Sequence, residues 1–153
     1  MAAPRRRNLG RAMIEAQVQS TARGAILFDA ALAPAPDPAW FDPDPAARRL
    51  RAGRGDVTFF DTAFGPCVLR HYRRGGLVAR VNRDRYLWTG EARTRAFREF
   101  RLLGALEALG LRVPAPVAAR YERDGLHYRA DLVTRRIVGA RTLAERLAAG
   151  ELD

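Results

Sequence analysis

The sequence has no lysine; all 27 basic residues are arginine, set against 17 acidic ones for a net charge of +10. A GC-rich genome alone favours arginine and alanine codons, whereas a basic surface attracts phosphates, anionic lipid or nucleic acid, and composition does not separate the two. Cys67 is the single cysteine, so an internal disulfide is excluded, which suits a reducing compartment. Arg5, Arg6 and Arg7 open the chain as they open a secretory signal, but Asn8, Arg11, Glu15, Gln17 and Gln19 interrupt the apolar run that would have to follow. No stretch approaches the ~20 apolar residues of a membrane span. The sequence therefore reads as neither exported by such a signal nor integral to a membrane, with peripheral attachment open. The two histidines, His71 and His127, are far apart in sequence and no metal-ligand spacing occurs, so each is expected in an ordinary bonded or surface role. There are no internal repeats.

What is present points to one folded domain. With 153 residues, 48% hydrophobic and 29% charged, the chain can close a modest core. Residues 1–24 are polar and carry little pattern, so they read as an N-terminal arm or one short helix. Residues 25–51 begin with Ile26-Leu27-Phe28 and turn proline-rich from Pro34 to Pro45, which predicts an extended wrap with Trp40 and Phe41 as anchors. From residue 52 the signals sharpen. Val57–Asp61 and Cys67–Tyr72 read as two antiparallel strands, and 75–90 as irregular and arginine-rich. Residues 91–109 read as a helix, with Ala92, Ala96, Phe100, Leu103 and Leu106 as its apolar stripe and Gly110 as its stop. Val117–Tyr121 and Leu126–Val133 flank Asp124-Gly125, a tight-hairpin signal. Thr142 and Glu145 then form a capping box at the start of a short helix. Strand, strand, long helix, strand, strand, short helix is an α+β order, with the helix packed on an antiparallel sheet.

The chemistry concentrates at Glu99. At ~100° per residue, Ala92, Leu103 and Leu106 fall within about 40° of it and Ala96 within about 60°, so Glu99 is expected inside the apolar stripe. A carboxylate there costs several kcal/mol unless it meets a cation. Arg70, mid-strand after Val68 and Leu69, is the candidate partner; Arg95, one turn back on the helix, is the alternative, as is a solvated edge for both side chains. A strand cation paired with a helix acid is how protein-kinase-like enzymes hold nucleotide phosphates, beneath a glycine-rich hairpin. Gly53-Arg54-Gly55 opens the first strand, although Thr58 stands where a third glycine would come.

Several runs resemble the bacterial 3-deoxy-D-manno-octulosonic acid (Kdo) kinases. They are Val68–Leu77, Asp84–Gly90, Arg93–Phe100, Val113–Tyr121 and Tyr128–Leu132, together with Phe41-Asp42-Pro43, in one collinear register over about residues 25–147. The resemblance implies a protein-kinase-like fold and transfer of the γ-phosphate of ATP, with Mg2+, to a hydroxyl of Kdo on a lipid A precursor. It places the enzyme peripherally at the cytoplasmic face of the inner membrane. By the same resemblance Gly53 and Gly55 lie in the phosphate loop, Arg70 is the strand cation, Glu99 its helix acid, and Thr134 borders the adenine pocket. Arg135 and Ile137 offer it backbone contacts. Residues 52–139 then correspond to the N-lobe and 140–153 to the hinge and the start of the second lobe. The catalytic Asp, the Asn and the metal-binding Asp of such enzymes come after the hinge helix. The sequence stops at Asp153, so they are expected beyond it, the C-lobe is expected to be absent, and the chain alone is expected to be inactive.

From Arg70 to Arg101 ten arginines face Asp84, Glu91 and Glu99. Arg73, Arg74, Arg80, Arg83 and Arg85, interleaved with Tyr86 and Trp88, suit docking of an anionic acceptor at a membrane surface; a solvated arginine-biased loop is the plainer reading. A module that binds nucleic acid or an anionic surface without catalysis is the competing function class, but no nucleic-acid fold signature occurs and Glu99 has no role in it. No nucleic-acid partner is expected. Aminoglycoside or choline kinases share the implied fold without these strings.

Overall fold

The polar stretch expected to be a loose arm or short helix instead supplies an edge strand, β1 (Ala16–Thr21), exposed along its whole length. In the computed structural model, which describes residues 13–43, 48–52, 55–72 and 85–137, β1 pairs antiparallel with β2 (Gly24–Asp29). Ile26, Leu27 and Phe28, expected at the head of a wrap, thus lie in an interior strand buried on both faces. Continuous burial on both faces is why this stretch lacks an in–out alternation. Gly24 is required: a Cβ there would stand 2.1 Å from the Tyr121 carbonyl oxygen. Asp29, 2% exposed, fixes the entry to the sheet by accepting from the backbone N–H of Glu15 (2.9 Å) and Ala31 (3.1 Å).

The proline-rich stretch then crosses one sheet face as a 3₁₀ turn, Pro38–Phe41, capped by the Asp37 carboxylate. Trp40 and Phe41 are buried, as anchors should be. Arg48–Ala52, expected to end the wrap, forms β3. It pairs with β4 (Gly55–Thr62), which pairs with β5 (Gly65–His71). Within 85–90, expected to be irregular, Tyr86–Leu87 forms a two-residue β6.

The helix α1 runs over Arg95–Ala108, and a separate 3₁₀ turn, Glu91–Arg93, precedes it. Ala92 is therefore exposed and not part of the stripe. The fully buried positions are Ala96, Phe97 and Phe100, about 60° to 160° round from Glu99 at ~100° per residue. Glu99 consequently lies at the margin of the buried face, not inside it, and Phe97, absent from the expected stripe, is at 0% exposure one of its main residues. The N-terminus of α1 is tied to the sheet. Tyr128 Oη accepts from the Arg95 N–H (3.1 Å), and Tyr121 Oη donates to Glu91 (2.9 Å). Burial and that carboxylate push the Tyr121 phenol up to about 12. At the C-terminus Gly110 (φ 77°) donates to the Glu107 carbonyl and Leu111 to that of Leu106, a Schellman stop.

The chain ends its described part in a long hairpin, β7 (Pro116–Asp124) and β8 (His127–Arg135). Gly125 has φ 59° and among the described residues no non-glycine has positive φ, the type II′ pattern. The sheet order is β1-β2-β7-β8-β5-β4-β3, with β6 also on β8. α1 covers one face over Leu27, Tyr121, Tyr128 and Leu132; Trp40 and Phe41 cover the other over Ile26, Phe28, Leu69, Val117 and Val133. Among the described residues the result is an antiparallel sheet with one long helix, as the sequence implied, enlarged by β1, β2, β3 and β6. The expected short helix after Thr142 lies outside the described residues.

Candidate functional site

Side chains alternate along an extended chain, so Arg70 of β5 and Tyr72, one residue past its end and still bonded to the Ala130 carbonyl, project toward the same face, the one α1 covers. Arg70 Nη1 donates to Glu99 Oε1 at 2.8 Å. The Tyr72 hydroxyl donates to the other carboxylate oxygen, Oε2. Both oxygens of Glu99 are thus engaged from one strand. Tyr72 is 6% exposed; burial first, and the Glu99 carboxylate second, push its phenol far above the ordinary range, so it is a proton donor at any working pH. Arg95, the alternative partner of Glu99, stacks instead on the rings of Tyr72 (5.4 Å) and Tyr86 (5.9 Å). The Arg70 side chain is 46% exposed and that of Glu99 27%, so the pair sits at the rim of the core, open to a ligand on one side.

The register assembles the rest. Directly paired residues of adjacent strands share a face. Val57 is opposite Arg70, and Gly55, opposite Ala52, lies two residues further on, so the glycine-bearing end of β3 and β4 and the Arg70–Glu99 pair share one end of the sheet. Gly53 lies outside the described residues. In the other direction Val68 pairs with Phe59 on β4 and Thr134 on β8. Val68 and Thr134 stand two residues, about 7 Å, from the Arg70 row. Thr134 is 5% exposed. Arg135 uses its N–H on the Ala115 carbonyl (2.8 Å) and its guanidinium on the Phe64 carbonyl (2.6 Å). Ile137 is 47% exposed. A separate cavity of about 1040 Å³ lies between the proline-rich stretch and the β4–β5 hairpin, lined by Trp40, Phe60, Phe64 and Cys67 among others. Cys67 and Phe60 alternate onto the face away from α1, across the sheet from Arg70. Burial pushes the Cys67 thiol up.

Of the basic segment, Arg73, Arg74, Arg80 and Arg83 lie outside the described residues. Arg85 pairs with Asp124 at 3.1 Å. Tyr86 stacks on Tyr128 (5.5 Å) and Trp88 on Tyr121 (5.0 Å), so both rings pack on the core cluster beneath α1. Leu87 between them is 58% exposed.

Two features went unread in the sequence. One is Tyr72; its place two residues after Arg70 was the available signal. The other is Asp131, 4% exposed within a largely buried strand. Its Oδ1 lies 2.6 Å from His71 Nδ1, and its Oδ2 accepts from Arg120 Nε (2.9 Å) and Nη2 (2.7 Å). This network is on the face away from α1, where the Arg120 guanidinium also lies 4.7 Å from the centre of the Phe41 ring. His71 is thereby a bonded histidine. Among the described residues no group of three or more His, Cys, Asp or Glu could hold a metal ion.

Comparison with known proteins bears on this arrangement. The chain is 48% identical over 132 residues to a 3-deoxy-D-manno-octulosonic acid kinase of Stenotrophomonas maltophilia (strain K279a), covering 83% of this chain and 53% of that protein. It is 50% identical over 126 residues to the kinase of the same name from Xanthomonas axonopodis pv. citri (strain 306), covering 80% and 51%, and 49% identical to that of Xanthomonas campestris pv. campestris (strain B100) over the same shares. The chain spans about half the length of these relatives. No solved structure matches it. Residues 45–152, which include Arg70, Tyr72 and Glu99, match the model of the lipopolysaccharide kinase (Kdo/WaaP) family, and the chain belongs to that family.

Proposed function

We propose that this chain is the nucleotide-binding part of an ATP-dependent kinase that phosphorylates Kdo on a lipid A precursor, and that its sheet and helix are a protein-kinase-like N-lobe. The observation that carries the reading is the contact of Arg70 with Glu99 at the glycine-bearing end of β3 and β4. ATP supplies the phosphoryl group. The residues present fit it. Arg70 offers a half-exposed guanidinium whose charge is anchored but not buried by Glu99. Phe59, Val68 and Thr134 line up across three strands as a seat for a flat ring. By the family resemblance the backbone at Arg135 and Ile137 would edge that seat, with the Arg135 N–H already given to the Ala115 carbonyl. Among the described residues none is assigned to Mg2+.

Equilibrium binding of a fluorescent ATP analogue tests the reading. The chain binds it, and Arg70→Ala weakens binding by roughly 10- to 100-fold, the value of a charge-assisted contact, with the circular dichroism spectrum retained. Salt-sensitive binding to arbitrary DNA with no nucleotide affinity would instead favour the anionic-surface module.

Peripheral attachment to the cytoplasmic face of the inner membrane is part of the same proposal. No helix among the described residues is long and apolar enough to cross a membrane. Arginines of the 73–85 segment would meet anionic headgroups, and exposed Leu87 follows them in the sequence. Replacing Arg80, Arg83 and Arg85 together by Glu should abolish co-sedimentation with vesicles of phosphatidylcholine and phosphatidylglycerol; unchanged sedimentation rules the segment out as the docking element.

A further inference from the structure

A carboxylate facing a guanidinium ordinarily takes it in a fork, two parallel N–H···O bonds. Glu99 does not. Arg70 reaches it through Nη1 alone, at Oε1, while the Tyr72 hydroxyl donates to Oε2. That hydroxyl has little freedom to leave. The Tyr72 N–H is bonded to the Ala130 carbonyl (3.0 Å), its side chain is buried, and its ring is contacted by the guanidiniums of Arg70 (5.7 Å) and Arg95 (5.4 Å). We propose that Tyr72 is a positioning residue that holds the Glu99 carboxylate by its second oxygen in an orientation that turns the fork away from Arg70, so that Arg70 is anchored by one bond and keeps its remaining donors for a phosphate.

The chemistry follows from donor counting. A guanidinium carries five N–H groups, and capture in a fork would fix two of them against Glu99 and turn the planar group edge-on to the helix. A lysine in this place would need no such device, since an ammonium has no planar fork to capture and its three donors diverge. The device is therefore specific to a strand cation that is arginine, and it costs the site no charge, because a phenol held protonated contributes a donor and nothing else. The same hydroxyl also keeps Glu99 turned toward β5 and away from Arg95, one turn earlier on α1. The inference rests on the nucleotide-binding reading for its purpose, but not for its geometry.

The test uses the 153-residue chain with Tyr72→Phe, which removes the hydroxyl and leaves the ring in contact with both guanidiniums. Binding of ATP and of inorganic triphosphate is measured by calorimetry for the wild type, Tyr72→Phe, Arg70→Lys and the double variant. Tyr72→Phe should weaken binding roughly tenfold, the value of one charge-assisted hydrogen bond, when residue 70 is arginine. In the Arg70→Lys background the same change should weaken it less than twofold. Equal losses in both backgrounds mark a merely structural role and overturn the proposal, as does no loss in either. Nitrogen-15 NMR of the arginine side chains, with the Arg70 signals identified by their absence in Arg70→Lys, reads the geometry without ligand. Rotation of the Arg70 Nη groups should be hindered at one nitrogen in the wild type and at two in Tyr72→Phe. If none of the four proteins binds triphosphate but the NMR difference is found, the nucleotide reading fails and the positioning role stands; an unchanged spectrum overturns the role itself.

Discussion

Asp131→Ala is expected to lower the unfolding free energy by about 3–5 kcal/mol, the range for breaking a buried ion pair from one side. Asp131 is 4% exposed and holds Arg120 by two hydrogen bonds and His71 by a third. Without the carboxylate, Arg120 is left with a charge that its neighbours do not balance, and its side chain, 24% exposed, reaches water only in part. The ring of Phe41 beneath it returns about 0.5–2 kcal/mol of cation–π attraction, too little to compensate. Asp131→Asn keeps one acceptor oxygen and should lose less. The double variant Asp131→Leu with Arg120→Leu should recover most of the loss, since removing both partners also removes the desolvation penalty. Denaturant midpoints at unchanged slope measure this. A loss below about 1 kcal/mol for Asp131→Ala would show that the network is solvated and contributes little.

The parts of the fold that could be read from residue order are those where one local signal suffices. Asp124-Gly125 between two β-rich runs gave the β7–β8 hairpin, and Gly110 gave the end of α1. Neither depends on what packs above. β1 could not be found this way: Ala16–Thr21 is exposed on both faces, so it has no periodicity, and only its backbone pairing with β2 makes it a strand. β2 fails for the opposite reason. It is buried on both faces, so its apolar run shows no alternation, and the prolines that follow suggested an extended wrap. β3, rich in arginine, is held by pairing with β4 and carried no apolar pattern of its own.

The site was legible to the same extent. A carboxylate near an apolar stripe demands a cation, and Arg70 was the nearest strand candidate; the 2.8 Å contact follows from that demand. The stripe of Ala92, Ala96, Phe100, Leu103 and Leu106 centres closer to Glu99 than the face that the sheet packs against, Ala96, Phe97 and Phe100, because Ala92 precedes the helix and Phe97 joins the buried side. Tyr72 stayed hidden because a tyrosine at a strand end is satisfied by any apolar neighbour, and its hydroxyl partner is decided only by how α1 packs over β7 and β8. Asp131 stayed hidden because its two partners come from β5 and β7, and the register that joins them is a tertiary fact.

The seating of α1 carries the second large effect. Phe97→Ala should cost about 3–5 kcal/mol, the range for truncating a buried aromatic. Phe97 has no exposed surface and packs edge-to-face on Tyr121 of β7 at 5.4 Å, while Arg101 lies over its ring at 5.7 Å. Its loss removes the contact that fixes the rotation of α1, and rotation is what keeps Glu99 at the rim facing Arg70. Stability and site are therefore expected to fall together: the denaturation midpoint drops, and ATP binding weakens even at temperatures where the variant remains folded. Phe97→Leu, which refills most of the volume, should restore stability further than binding, because a leucine cannot reproduce the edge-to-face contact that sets the angle. Binding that stays at the wild-type level in folded Phe97→Ala would mean that Glu99 is held by Arg70 and Tyr72 alone, and that the buried face of α1 has no part in aiming it.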